Sequence, residues 1–284
     1  MKIKFWGCRG SIPAPGPHTL RYGGNTTCVE LRPPGGGVMI IDAGSGIRAL
    51  GKQLLKEKNT TEIHLLLTHS HWDHLMGFPF FTPAYFEKYN INVFGGPNAK
   101  NSLRNYLTHQ MTPPFFPVEF TVMKANFRLG QNGSHTGCIA GMDFDAIELS
   151  HPNGGYGFKL SCGGASFVFL TDNEPAFPHA GGLSREKYVE FCRGADLLVH
   201  DAQYTDEEYR VTRGWGHSTF TDATQLAIDA GVRRLGLFHH DPDRSDDELD
   251  RRVDACRAMI TAASADLSCF ACQEGGEIDL STRS

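Results

Sequence analysis

No apolar run in the sequence approaches the ~20 residues that a membrane span requires, so no membrane partner is expected. The opening MKIKFWGCRG lacks the long apolar core of a secretion signal. It reads instead as a short strand, with Ile3 and Phe5 alternating against Lys2 and Lys4, and a cytoplasmic location is the expectation. Basic excess is also missing. The formal net charge is −5, whereas a general nucleic-acid binder carries a positive surplus. Low-complexity tracts, long linkers and helical repeats are absent, and 284 residues are enough for one large domain or two small ones with a sizeable buried core. Paired cysteine motifs are scarce. Of eight cysteines, only Cys269 and Cys272 form a CxxC, and a structural zinc site needs a second pair. The cysteines read as small hydrophobes in a reducing compartment. With 40% hydrophobic and 21% charged residues, the composition is that of an ordinary globular chain.

What is present is a set of short apolar runs, each ending in a polar loop. Val38–Ile41 runs into Asp42-Ala43-Gly44-Ser45-Gly46, and Ile63–Leu67 into Thr68-His69. Ala146–Ser150 delivers His151. Phe167–Leu170 delivers Thr171-Asp172. Leu197–Val199 delivers His200-Asp201, and Leu235–Phe238 delivers His239-His240-Asp241. Runs of four to seven apolar residues flanked by turn formers are strands. Helical patterns lie between them: about Ile47 to Lys58, Ser184 to Arg193 with Ser184 as N-cap, Thr221 to Ala230 opened by Thr221-Asp222, and Ser245 to Ala263 with Ser245 capping an acidic first turn. The mixture predicts an α/β architecture with helices covering sheet faces. Strand C-terminal ends share an edge in such folds, and sites form there. The titratable residues at these ends should therefore converge on one cleft.

The densest stretch is THSHWDH, residues 68–74, which places His69, His71, Asp73 and His74 within six positions. Imidazole and carboxylate are ligands for zinc, manganese and iron. A dication would also offset the cost of crowding these polar groups. With His151, Asp172 and His239 the candidates number seven, too many for one tetrahedral ion and suited to two. Paired ions ~3.5–4 Å apart hydrolyse phosphate esters in line.

THSHWDH resembles the HxHxDH motif of the metallo-β-lactamase superfamily. The later histidine of SHP, the aspartate of LTDNE and the histidine of LFHHDP follow in that family's order. The resemblance spans nearly the whole chain and implies a single domain over residues 1–284, an αββα sandwich with a dinuclear site at the sheet edge, holding two divalent ions, Zn²⁺, Mn²⁺ or Fe. It implies His69, His71 and His151 on one ion, Asp73, His74 and His239 on the other, and Asp172 between them. His240, adjacent to His239, is the alternative last ligand. His200-Asp201-Ala202-Gln203-Tyr204 looks like the HEATF segment of ribonuclease Z-like phosphodiesterases, with Asp for Glu, and Gly216-His217-Ser218-Thr219 looks like their GHST segment. In that branch Asp201 would orient a protonated His217, which would stabilise the charge on phosphorus and protonate the leaving oxygen. A hydroxide bridging the ions would attack, assisted by Asp73 as base. Homodimerisation is a further implication.

Ribonuclease Z enzymes insert a long RNA-gripping arm between the SHP-type histidine and the bridging aspartate. Here 21 positions separate His151 and Asp172, room for one hairpin. With the acidic balance, this leads to the expectation of a small phosphodiester substrate, a 3′,5′-cyclic nucleotide above others, and no large nucleic acid. A transfer-RNA 3′ endonuclease, a thioester or lactam hydrolase and a non-catalytic sequestering module are the alternatives. Three smaller segments stay open. Arg21-Tyr22-Gly23-Gly24-Asn25-Thr26 reads as a hairpin connection or a phosphate-facing turn. Met111–Pro117 reads as a packed crossover or a lid. Trp72 props the metal loop or flanks substrate.

Overall fold

The computed structural model describes residues 1–33, 37–95, 99–130 and 135–280, without the side chains of 99–103. In chain order the elements are β1 (Lys2–Gly7), β2 (Cys28–Arg32), β3 (Val38–Ile41), α1 (Ile47–Leu54), β4 (Glu62–Leu67), α2 (Trp72–Leu75), β5 (Asn90–Gly95), α3 (Ala99–His109), β6 (Asn126–Leu129), β7 (Thr136–Ile139), β8 (Met142–Glu148), β9 (Tyr156–Cys162), β10 (Ala165–Leu170), α4 (Arg185–Cys192), β11 (Leu197–Asp201), α5 (Asp206–Thr212), α6 (Phe220–Ala230), β12 (Arg234–Phe238), α7 (Asp246–Ala262), β13 (Ser268–Ala271) and β14 (Glu277–Asp279).

The strands form two sheets. One has the order β14-β1-β2-β3-β4-β5-β6, the other β13-β12-β11-β10-β9-β8-β7. Each is half parallel: β3 to β6 in the first, β10 to β13 in the second. Side-chain alternation sorts the apolar residues into three layers. Met39 and Ile41 of β3 join Ile3, Phe5, Phe167, Phe169 and Val199 between the sheets. Val38 and Ile40 face the other way, onto Ile47, Leu50 and Leu54 of α1. Val168 and Leu198 similarly face Tyr188 of α4, Leu226 of α6 and Val253 of α7. The result is the expected αββα sandwich. Among the described residues, no helix is long and apolar enough to cross a membrane.

Two helix boundaries differ from expectation. Helix α1 stops at Leu54 rather than Lys58, because Leu54 is its last buried position and the Lys56–Lys58 stretch has no core to pack against. Helix α6 is capped by Thr219, whose side chain accepts from the Asp222 N–H. A bridge to Tyr204 holds Thr219 extended, as an N-cap must be, and Thr221 falls inside the helix. Ser245 caps α7 as expected. Ser184 occupies the cap position of α4 without a side-chain capping bond. Strands β1 and β2 pair antiparallel, but residues 8–27 join them as a long loop rather than a tight turn at Gly23-Gly24, and within it Arg9 bridges both Thr26 and His240.

Candidate metal centre

Strands of both sheets aim their C-terminal ends at one place. From the first sheet, β4 leads into the loop and short α2 that carry His69, His71, Asp73 and His74. From the second, β8 leads to His151, β10 to Asp172, β11 to Asp201 and β12 to His239. Asp42, Asp172 and His239 each lie just past a strand with φ between 54° and 61°. Non-glycine residues in that region cost of order 1–3 kcal/mol each and gather where geometry is over-determined by function.

All seven expected ligand residues come together. Ligand atoms of His69, His71, His151 and Asp172 lie within 4.8 Å of one another, as do those of Asp73, His74, Asp172 and His239. Asp172 belongs to both groups. Its Oδ1 is 3.2 Å from His74 Nε2, and its Oδ2 is 3.4 Å from His239 Nε2, 3.6 Å from His69 Nε2 and 3.8 Å from His151 Nε2. Asp73 Oδ2 is 3.1 Å from His239 Nε2 and 3.3 Å from His74 Nε2, and accepts from the Ser11 N–H at 2.8 Å. His239 faces the cluster. His240 faces away, with Nε2 donating to the Cys272 carbonyl at 2.8 Å.

An outer set of partners fixes the rings. His151 Nδ1 donates to the Gly216 carbonyl at 2.9 Å, His239 Nδ1 to Gln203 Oε1 at 2.9 Å, and His74 Nδ1 to Asp42 Oδ2 at 2.8 Å. Thr68 Oγ1 donates to the same Asp42 oxygen at 2.7 Å, which leaves it to accept from His69 Nδ1 at 3.0 Å. Four rings thus have Nδ1 occupied and Nε2 turned to the cluster. Such partners set tautomer and ring orientation in metal sites. His71 instead presents Nδ1, 3.1 Å from His151 Nε2. The backbone makes room for this: a Cβ at Gly10 would overlap the His239 ring, and one at Gly216, where φ is +96°, the His151 ring.

The donor set fits divalent cations. His69 Nε2 is buried without a hydrogen-bond partner, a costly state for a polar atom that a cation would relieve. Burial first, then neighbouring charge, holds His69 well below its ordinary value. Burial likewise lowers His71 and takes His151 down to about 3. Burial alone would raise both Asp73 and Asp172, but the adjacent histidines hold both well below the usual carboxylate range. Neutral rings and ionised carboxylates are the forms that bind metal. His74 is the exception. Against burial, Asp172, Asp73 and Asp42 hold it well above its ordinary value, so a proton there balances the carboxylates where a cation otherwise would.

Beside this cluster His217 Nδ1 lies 2.6 Å from Asp201 Oδ2 and 4.0 Å from Asp172 Oδ2. Burial opposes its charge, but Asp201, Asp172 and Asp73 outweigh burial and raise it to about 9.

A family model for a beta-lactamase superfamily domain matches residues 38–240, which include all seven clustered residues together with Asp201 and His217. The chain belongs to the beta-lactamase superfamily. Among curated relatives, ribonuclease Z of Thermoplasma volcanium is 25% identical across 94% of this chain and 96% of its own length. Ribonuclease Z of Brevibacillus brevis is 37% identical over 87 residues, which is 31% of this chain and 24% of that protein. Among solved structures, human tRNase Z, short form, superposes with a TM-score of 0.64 at 20% identity, covering 99% of this chain and all of that one. A diphosphatase from the PhnP family does so with a TM-score of 0.67 at 18% identity, over 99% and 98%. With its family and its donor set, this member of the superfamily is a metal-dependent hydrolase.

One expectation is overturned. A large nucleic acid cannot be set aside as substrate, because a protein named ribonuclease Z matches this chain nearly end to end. Net charge is a sum over the whole molecule, whereas binding to a polyanion depends on local potential, so −5 does not decide the matter.

Sequence reasoning missed the outer partners Asp42 and Gln203, and also Glu174, whose Oε2 accepts from the Gly216 N–H at 2.7 Å. Asp42 had a signal, since it too ends an apolar strand run. The other two are joined to the site only by the fold. The Arg21 turn does not face phosphate: its guanidinium pairs with Asp247 and Asp250 of α7 at 2.6 and 2.8 Å. The 111–117 segment packs through Met111 and sets Phe116 edge-on to Phe80 at 5.6 Å, leaving Phe115 82% exposed. Trp72 is 80% exposed beside His71 and Asp73, so it does not prop the loop from within.

Proposed function

We propose that this protein is a two-metal phosphodiesterase that cleaves RNA in the manner of ribonuclease Z. The observation that carries the reading is the Asp201–His217 pair, at 2.6 Å, placed against the donor cluster. A thioester hydrolase, whose thiolate leaves unprotonated, has no comparable need for a cationic acid there. His69, His71 and His151 would hold one ion, Asp73, His74 and His239 the other, with Asp172 shared. The ions, when bound, supply positive charge for the phosphoryl oxygens and a nucleophile at neutral pH. The chain's own residues do the rest. His217, kept protonated by Asp201, gives its proton to the leaving oxygen and offsets charge on phosphorus. Asp73, kept ionised, is the base beside the cluster. Gln203, Gly216 and Asp42 keep the ligand rings aimed.

A second reading is a small cyclic phosphodiester such as a 3′,5′-cyclic nucleotide. The β9–β10 hairpin favours it, because the two strands turn at Gly163-Gly164 with no arm projecting between His151 and Asp172. One panel tests both. Purified protein with Mn²⁺ or Zn²⁺, and then with chelator, is given a precursor transfer RNA with a 3′ trailer and a set of 3′,5′-cyclic nucleotides. Chelator-sensitive release of the trailer supports the first reading. Opening of a cyclic nucleotide alone replaces it with the second, and turnover of neither refutes both.

A further inference from the structure

Glu174 lies two residues beyond Asp172 and is 1% exposed, yet it belongs to none of the clustered donor groups. Burying a carboxylate is expensive unless its oxygens are fully hydrogen-bonded. Here they are. Oε1 accepts from the Tyr209 hydroxyl at 2.6 Å and the Gly214 N–H at 2.7 Å. Oε2 accepts from the Gly216 N–H at 2.7 Å and lies 2.8 Å from His179 Nε2. The carboxylate therefore pins the backbone of residues 214–216, the approach to His217. Gly216 passes the constraint on in two directions. Its carbonyl accepts from His151 Nδ1, and its next residue is His217. The adjoining Asn173 works alongside, with Oδ1 accepting from the N–H of Ser150, before His151, and its carbonyl accepting from the hydroxyl of Ser218, after His217.

We infer that Glu174 is a positioning residue for proton delivery: by holding the 214–216 backbone it sets His217 against the leaving oxygen. A carboxylate suits the task because a different oxygen receives each backbone N–H. An amide cannot replace it, since either orientation of a glutamine turns an NH₂ group toward Gly214 or Gly216. The inference rests on the phosphodiesterase reading given above.

The test compares two esters that differ in their need for an acid. An RNA phosphodiester expels a ribose alkoxide and needs a proton from His217. Bis(p-nitrophenyl) phosphate expels a stable phenolate and does not. Glu174→Gln is expected to lower kcat on the RNA about 100-fold, within the range for loss of a general acid. It should change kcat on the activated ester less than about 3-fold, with bound metal unchanged. Tyr209→Phe, which removes one of the four bonds and is the milder variant should Glu174→Gln fail to fold, is expected to show a smaller loss with the same selectivity. Parallel loss on both esters, or loss on neither, overturns the inference. If wild-type protein cleaves neither ester, the phosphodiesterase reading has failed. The positioning claim is then read by hydrogen–deuterium exchange: Glu174→Gln should speed exchange across residues 212–217 at least about 10-fold, and unchanged exchange there overturns it.

Discussion

Replacing Asp201 by Asn removes one charge and little else. Asp201 is fully buried, and its Oδ1 accepts from the N–H groups of Gln203 at 3.1 Å and Ser218 at 3.2 Å. An asparagine carbonyl keeps both. Its NH₂ group then faces His217 Nδ1 and favours the neutral ring, in which that nitrogen accepts. Asp201 heads the favourable contributions that hold His217 at about 9. Asp172, at 4.0 Å, shares its charge with cations when they are bound, which leaves Asp201 as the partner that counts. Moving from about 9 to the ordinary value near 6.5 or below is roughly 3 kcal/mol at 1.36 kcal/mol per unit. At pH 8 the protonated fraction falls from about 0.9 to about 0.03, so the rate should drop roughly 30-fold if His217 delivers the proton. The drop should shrink to about 1.3-fold at pH 6. The assay is the initial rate on RNA from pH 6 to 10, with metal content measured on the same samples. An alkaline limb that stays near pH 9 in the variant, or a loss uniform across pH, refutes the role assigned to the pair.

Three further substitutions probe the surroundings. His69→Ala should abolish activity and lower metal content by elemental analysis; activity with full occupancy would remove His69 from the ligand set. Asp42→Asn leaves a neutral group against His74 and Thr68, and should weaken metal affinity about 10–100-fold in a competition titration, as loss of an outer partner does. An unchanged affinity would make Asp42 a purely structural group. His240 is held down to about 3 by burial first and then by Arg9, while an unfolded imidazole titrates near 6.5. The unfolded chain takes up that proton first, so the stability is fully present above about pH 6.5 and is lost progressively as pH falls toward 3. His240→Gln, which can still donate to Cys272, should flatten denaturant-derived stability between pH 6 and 4 by up to about 1.4 kcal/mol per pH unit. Equal slopes would show that His240 does not titrate on unfolding.

The sandwich and the cluster were legible in the sequence for one physical reason. A strand buried on both faces must be apolar throughout, so a titratable residue directly after it stands out. Asp172, Asp201 and His239 all follow that rule, and Asp42 does as well. What was not legible depends on contacts between distant segments. Glu174 reads as one more acid in a turn, and only the fold brings Gly214 and Gly216 to it across forty residues. Gln203 acquires meaning only when β12 sets His239 beside it. Arg21 has the look of a phosphate ligand, because nothing local reveals that α7 supplies its acidic partners. The missing arm was read correctly as a hairpin, but it was asked to exclude a substrate, which is a property of surfaces the sequence does not display.

The cluster is drawn from both sheets: His69, His71, Asp73 and His74 follow β4, whereas His151, Asp172 and His239 follow strands of the other sheet. Ions held by these residues would tie the sheets together at their open edge. Metal that binds only the folded chain at about 1,000 times its dissociation constant adds about 4 kcal/mol, and at roughly 2–4 °C per kcal/mol for a chain of this size chelation should lower Tm by about 10 °C. The pH dependence separates this effect from general weakening. In chelated protein the His74 proton stands in for the cation. Because its folded value is raised, that stability is fully present below about pH 6.5 and is lost as pH rises through the folded value. The gap in Tm between loaded and chelated protein should therefore widen on the alkaline side. A gap that is absent, or that narrows as pH rises, would mean that the carboxylates of Asp73 and Asp172 are not balanced by metal.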